Sequence, residues 1–282
     1  MTRQKHREGY RDERGAEPGK EWNEKRKSRR RRKRRKARIR FLASMLGTLL
    51  GAVLLILVAY TALNLFCGFG KVNTQKLREQ GYPESLIALG ERNPETKDFV
   101  LDYPKYKGLE EIDISKEVTK GEIPHFLQWD ERWGYETYGS DFLAVTGCGP
   151  TSLSMVVCGL TGDTKWNPYE VAKMAEDNGY YVDGSGSSWE LMSSGAEKLG
   201  LTVSSVIFDA EHIRATLESG QPIICVMGPG DFTDAGHFLV LTGVDKEGDI
   251  ILQDPNSVER TKQHWDVQKL MNQMKNLWSY SV

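Results

Sequence analysis

Three side chains in the carboxy-terminal half of the chain have the types and spacing of a thiol nucleophile with its base and orienting carboxylate. Cys148 stands between Gly147 and Gly149 and is followed by Pro150, Thr151 and Ser152. That is a helix-start pattern, and a thiol there faces unpaired backbone N–H groups and the positive end of the helix dipole, which stabilise the thiolate. The rival reading of the same residues is a structural cysteine in a tight turn. Cys158, amid Met155, Val156, Val157 and Leu160, and Cys225, amid Ile223, Ile224, Val226 and Met227, read as small buried hydrophobes. A bridge between those two stays open. One between Cys148 and Cys158 does not, since on a single helix they stand about 15 Å apart along the axis.

Of the five histidines, His237 alone opens an apolar strand, in Ala235-Gly236-His237-Phe238-Leu239-Val240-Leu241. His6 lies in the amino-terminal tail, His125 and His264 in polar segments, and His212 on a helix flank. A lone strand histidine is ordinarily a satisfied core residue. Asp254 changes that reading through the intervening hairpin. A two-residue turn at Glu247-Gly248 sets Leu241 opposite Asp254 and puts His237 and Asp254 on one face. A four-residue loop keeps them there as diagonal neighbours about 7–8 Å apart at Cα, and a three-residue loop puts them on opposite faces. Nucleophile, base and orienting carboxylate together make the Cys-His-Asp logic of acyl transfer. Its oxyanion needs donors, for which the Cys148 backbone N–H and the amide of Gln128, in Phe126-Leu127-Gln128-Trp129-Asp130, are the candidates.

The elements that must hold these groups follow from caps and periodicity. Helices are expected from Gly149-Pro150 to Cys158, from Asn167-Pro168-Tyr169-Glu170 to Gly179, from Ser187–Glu190 to Gly200, and from Ala210 to Ser219. Strands are expected at Leu201–Phe208, Pro222–Met227, His237–Val244 and Asp249–Gln253. A last amphipathic helix is expected from about Asp266 through Leu270, Met274 and Leu277. Helices followed by an antiparallel sheet is an α+β order.

The formal net charge of -1 hides strong polarity. Residues 1–40 hold 19 Lys and Arg against 6 Asp and Glu, whereas residues 122–282 hold 10 against 23. Between them Phe41 to Gly70 carries no charge, and about 20 apolar residues suffice to span a bilayer. The chain therefore divides into a basic cytoplasmic tail (1–40), an uncleaved transmembrane anchor (41–67), a stalk (68–121) and one domain (122–282). The tail is too long for a signal peptide, and Phe66 is too bulky before Cys67 for a lipoprotein site. Positive flanks stay inside, which places the domain outside the membrane. The tail also attracts anionic lipids. The stalk holds two short helix signals, Pro83–Leu89 and Asn93-Pro94-Glu95, that either dock on the domain or space it from the membrane.

Four motifs in order, Gln128-Trp129-Asp130 through Trp133-Gly134-Tyr135, Gly147-Cys148-Gly149-Pro150-Thr151-Ser152, Gly236-His237-Phe238 and Asp254-Pro255-Asn256-Ser257, resemble the stand-alone branch of cysteine peptidase family thirty-nine. Gly230-Asp231-Phe232-Thr233 adds to the likeness, which covers about Ile123 to Trp278. That family includes the papain-like peptidases that remove double-glycine leaders from bacteriocins. The resemblance implies a papain-like fold with Cys148 as nucleophile, His237 as base, Asp254 as orienter and Gln128 as oxyanion donor. Two features depart from the leader-processing members. Their glutamine lies a few residues before the cysteine, while Gln128 lies 20 positions upstream. They are usually fused to a multi-span exporter with an ATP-binding domain, whereas this sequence has one span and no P-loop pattern.

The expected protein is a membrane-anchored thiol peptidase of the bacterial surface, working without metal or organic cofactor on neutral or basic peptides. An acidic domain repels nucleic acid and anionic wall polymers. Peptidoglycan amidase or endopeptidase activity and a catalytically silent peptide-binding module are the alternatives.

Overall fold

The computed structural model describes residues 18–70 and 73–282, with side chains for 26–58 and 73–282. The start of the basic tail, including His6, and the side chain of Cys67 lie outside the described residues. Two compact units result, Met1–Phe69 and Gly70–Val282.

In the first unit α1 (Pro18–Gly70) runs unbroken from the basic run through the apolar segment. Its stretch Arg26–Val58 is long and apolar enough to cross a membrane, and its described side chains are all exposed. A helix apolar on every side has no soluble core to join, which makes this one a candidate membrane span, a test that an amino-terminal signal sequence also passes.

The second unit begins with the segment expected as a stalk, which docks on the domain. It forms α2 (Thr74–Glu79), α3 (Glu84–Arg92), a 3-10 turn at Pro94–Thr96 and α4 (Lys97–Asp102). Asn93 starts the turn as expected, its Oδ1 accepting from the Glu95 N–H at 3.0 Å. Leu86, Ile87, Phe99 and Val100 are buried with Tyr135 and Ala144 of the domain. Full burial of each such side chain is worth about 1.5–3 kcal/mol, so four of them hold a segment that has no core of its own.

The elements that follow are β1 (Thr137–Tyr138), β2 (Asp141–Phe142), α5 (Leu143–Thr146), α6 (Cys148–Thr161), α7 (Pro168–Asp177), β3 (Tyr181–Val182) and β4 (Gly186–Ser187). A 3-10 turn at Trp189–Met192 and α8 (Ser194–Lys198) complete the helical half. Asn167 caps α7, its Oδ1 accepting from the N–H groups of Tyr169 and Glu170. The single helix expected from Ser187 to Gly200 is broken. Ser193, at φ -108° and ψ -93°, interrupts it and lets Leu191 and Met192 turn into the core.

β5 (Thr202–Ser205) and α9 (Ala210–Glu218) lead to β6 (Ile223–Met227), β7 (His237–Val244) and β8 (Ile250–Gln253). The chain ends with α10 (Val258–Thr261), α11 (Val267–Met271) and β9 (Met274–Ser281). The sheet order is β5-β9-β6-β7-β8, all antiparallel. Thus the last amphipathic helix is confined to Val267–Met271, and Met274 to Ser281 is a strand. Met274 and Leu277, three apart, fit a helical period, and in the strand both reach one core because the β6–β9 pairing shifts register between Val226 and Met227; β9 lies between β5 and β6, where a strand satisfies its backbone groups on both edges.

Alternate residues of the sheet enter two cores. Ile224, Val226, Phe238, Val240 and Tyr280 pack with α6, whose residues Gly149 to Gly159 are all buried. Ile223, Cys225, Met227, Leu239 and Leu241 pack on the other face with Ile213 and Leu217 of α9 and Leu270 of α11. Cys158 and Cys225 are both free and buried.

Candidate active site

Cys148 is the first residue of α6, and the glycines around it are required by their neighbours. A Cβ at Gly147 would overlap the Leu143 carbonyl, and one at Gly149 would overlap the Ser187 side chain of β4. Close approach on both sides leaves the thiol half-buried at the positive end of α6. Burial pushes the Cys148 thiol up, but its hydrogen bond to His237, the imidazolium charge and the N–H groups of Phe238 and Gly149 outweigh that and hold it below the ordinary thiol range.

His237 opens β7 and is buried, and its Nε2 donates to Asp254 Oδ1 at 2.7 Å. Burial opposes its charge, yet Asp254 and the Cys148 sulfur together push it up to about 10. Asp254, fully buried just beyond β8, is held low despite that burial by His237, then Arg260, then the Asn256 N–H. Its Oδ1 also accepts from the Asn256 N–H at 2.8 Å and its Oδ2 from Arg260 Nε at 2.6 Å. Three polar contacts to the side chain make a buried carboxylate tolerable where an unpaired one would not be, and further contacts reach the backbone. There His125 Nε2 donates to the Asp254 carbonyl at 2.7 Å. Burial keeps His125 below the ordinary imidazole value, so it serves as a neutral donor.

Gln128 is buried between the two halves of the site. Its backbone N–H donates to Pro255 O at 2.7 Å, next to Asp254, and its Nε2 donates to Ala144 O at 2.7 Å, four residues before Cys148. One Nε2 hydrogen is thereby committed to Ala144. Oε1 is buried without a partner among the described residues.

The four expected residues therefore converge on one locus. Sequence reasoning missed Arg260 and set His125 aside. Arg260 was legible in part, because Ser257 is the N-cap of α10 and its Oγ accepts from the Arg260 N–H at 3.0 Å. Arg260 also lies over the ring of Phe232, 5.8 Å from its centre, which gives the Gly230–Thr233 motif a place beside the site. His125 carried no local signal, since its partner lies 129 residues away. Cys158 is pushed up to about 12 by burial, and Cys225 is raised further by the same cause, so neither offers a thiolate. No cluster of three or more metal-ligating side chains occurs among the described residues.

The crystal structure of a candidate C39-like peptidase from Bacillus anthracis is similar to this chain at 18% identity and a TM-score of 0.34, covering 58% of this chain and 97% of that one. No curated protein matches the sequence. Residues 120–282, more than half of the chain, match the model of the Peptidase_C39 like family, and the span contains Gln128, Cys148, His237 and Asp254. With a helix-first, antiparallel-sheet fold around these residues, the chain belongs to the Peptidase_C39 like family.

Proposed function

We propose that the chain is a membrane-anchored cysteine peptidase whose domain works outside the membrane through Cys148, His237 and Asp254. The observation that carries this reading is the buried His237–Asp254 hydrogen bond of 2.7 Å beside a thiol at the start of a 14-residue helix. His237 takes the Cys148 proton and Asp254 stabilises the imidazolium. The thiolate attacks the peptide carbonyl carbon, forming the C–S bond and an oxyanion that the Cys148 backbone N–H and the second Gln128 Nε2 hydrogen stabilise. Collapse breaks the C–N bond as His237 returns its proton to the leaving amine. Water, deprotonated by His237, then attacks the thioester, the C–S bond breaks and the acid departs.

Support for the orientation comes from the basic run ending at Arg40, directly before the uncharged segment. The excess of 23 acidic over 10 basic residues after Gly121 favours neutral or basic peptides over polyanions. Leader cleavage in the cytoplasm is incompatible with that orientation.

Alkylation of Cys148 by iodoacetamide at graded pH tests the reading. An apparent thiol pKa well below 8.5, the usual value, that is lost in His237→Ala supports it, and an unreactive Cys148 in the folded chain overturns it. Peptide-library cleavage then supports a peptidase, whereas release of muropeptides from isolated peptidoglycan replaces it with a wall amidase or endopeptidase.

A further inference from the structure

The donors that hold Asp254 are themselves held by a segment that precedes the family-matched residues 120–282. Asn256 and Arg260 belong to a short turn and to α10, a four-residue helix too small to order itself. Glu95 reaches this turn from the 3-10 turn Pro94–Thr96. Its Oε2 accepts from the N–H groups of Val258 at 2.8 Å and Glu259 at 3.2 Å, and its Oε1 accepts from the Ser257 hydroxyl. Asn93 adds Nδ2 donation to the Asn256 carbonyl at 2.6 Å and to Asn256 Oδ1 at 3.1 Å. Its own Oδ1 accepts from the Glu95 N–H, so the two residues form one rigid clamp. Thr96, fully buried, and the apolar set Leu86, Ile87, Phe99 and Val100 anchor that clamp to the domain.

We infer that Glu95, with Asn93, is a positioning residue for the proposed triad: it fixes the Asn256–Arg260 turn from which both carboxylate oxygens of Asp254 receive their donors other than His237. The path runs from Glu95 through Ser257 and α10 to Arg260, then to Asp254 and His237. Glu95 touches neither substrate nor sulfur on this path. Its Oε2 satisfies N–H groups that the first turn of α10 leaves without intrahelical partners. The segment between anchor and family-matched domain is thus part of the site and more than a spacer.

This assignment rests on the reading of Cys148 and His237 as an ionised pair, and the test separates the two. The full-length chain in nanodiscs is alkylated with iodoacetamide from pH 4 to pH 9, with the modification read on the Cys148 peptide by mass spectrometry. In Glu95→Ala the Asp254 carboxylate loses its fixed setting, the imidazolium is less stabilised and the apparent thiol pKa rises. A rise of one unit lowers the alkylation rate about tenfold at a pH below it. Glu95→Gln keeps acceptor oxygen for Ser257 and recovers most of the rate, while Asp98→Asn, exposed in the same segment, matches the wild type. A Glu95→Ala profile that superimposes on the wild type overturns the assignment alone. A wild-type thiol with an ordinary pKa overturns both it and the reading beneath it. Should Glu95→Ala lose its fold, seen as labelling of Cys158, Asn93→Asp keeps the Oδ1 that caps Glu95 but removes the Nδ2 donor to Asn256. About a threefold loss there supports the clamp, and an unchanged profile overturns it.

Discussion

His237 Nε2 and Asp254 Oδ1 meet at 2.7 Å across a diagonal of the β7–β8 hairpin that a register shift between Leu241 and Gly243 creates. Asp245 N–H bonds to Asp249 O at 2.9 Å, closing a loop of three residues, Lys246, Glu247 and Gly248. Continued regularly from there, the ladder would put His237 and Asp254 on opposite faces. The extra residue at Thr242 moves the pairing to Val240 opposite Gln253, and one step further places Asp254 opposite Leu239. Asp254 thus becomes the diagonal neighbour of His237 on the same face.

Removing the base is the first prediction. His237→Ala is expected to lower kcat/KM on a cleaved peptide by roughly 10³-fold or more, leaving what the oxyanion donors and binding supply. Near wild-type turnover in that variant would assign the base elsewhere.

Stability carries a pH signature of the same pair. His237 is raised from 6.5 to about 10 in the fold, so its stabilising contribution is complete below pH 6.5 and is lost as pH rises through about 10. The difference in Tm between wild type and His237→Ala should narrow between pH 7 and pH 10. Asp254 is depressed below 3.8, so its contribution is present above that value and is lost as pH falls through its folded value. The Tm difference between wild type and Asp254→Asn should therefore shrink below about pH 4, a range that a scan in acetate and glycine buffers covers. A gap independent of pH in both series would mean that the pair is neutral.

Gln128→Ala is expected to reduce kcat by about 10²–10³-fold with a smaller change in KM, as for loss of one oxyanion donor. Steady-state kinetics separates the two constants. An equal change in both would assign Gln128 to the contact with Ala144 alone.

Gly149→Ala drives a methyl group into Ser187. Overpacking of this kind costs about 1–3 kcal/mol, and thermal unfolding should report it. Ser187→Gly, which also removes the buried Tyr138–Ser187 hydrogen bond, should cost less on the Gly149→Ala background than on the wild type, a coupling that would be absent if the helix start itself were at fault.

Thiol selectivity is the last expectation. At pH 7 iodoacetamide should modify Cys148 in the folded domain, while Cys158 and Cys225, buried and held protonated, react only after denaturation. Peptide mapping of the labelled chain distinguishes the three.

Much of this site is legible in the sequence, because the signals are local. Glycines around Cys148, the Asn167-Pro168 helix start and the bounds of β7 follow from backbone sterics and from a polar-to-apolar change over a few residues. The β9 strand was not legible, since Met274 and Leu277 fit a helical period and only the place between β5 and β6 decides between the two. Glu95 and Ser257 stand 162 residues apart, and no local pattern in either segment encodes their contact.

By itself, then, the sequence determined the kinds of groups present: an apolar segment behind a basic run, a thiol at a helix start, a histidine opening a strand and a carboxylate after a hairpin. Each of these depends on propensity, capping or solvation, which act over one or two turns. Tertiary structure alone decided that Thr242 corrects the hairpin register, that Arg260 and His125 close around Asp254, and that the presumed stalk clamps the turn beyond it. Those outcomes depend on which surfaces meet when apolar area is buried, and that is settled by the whole fold.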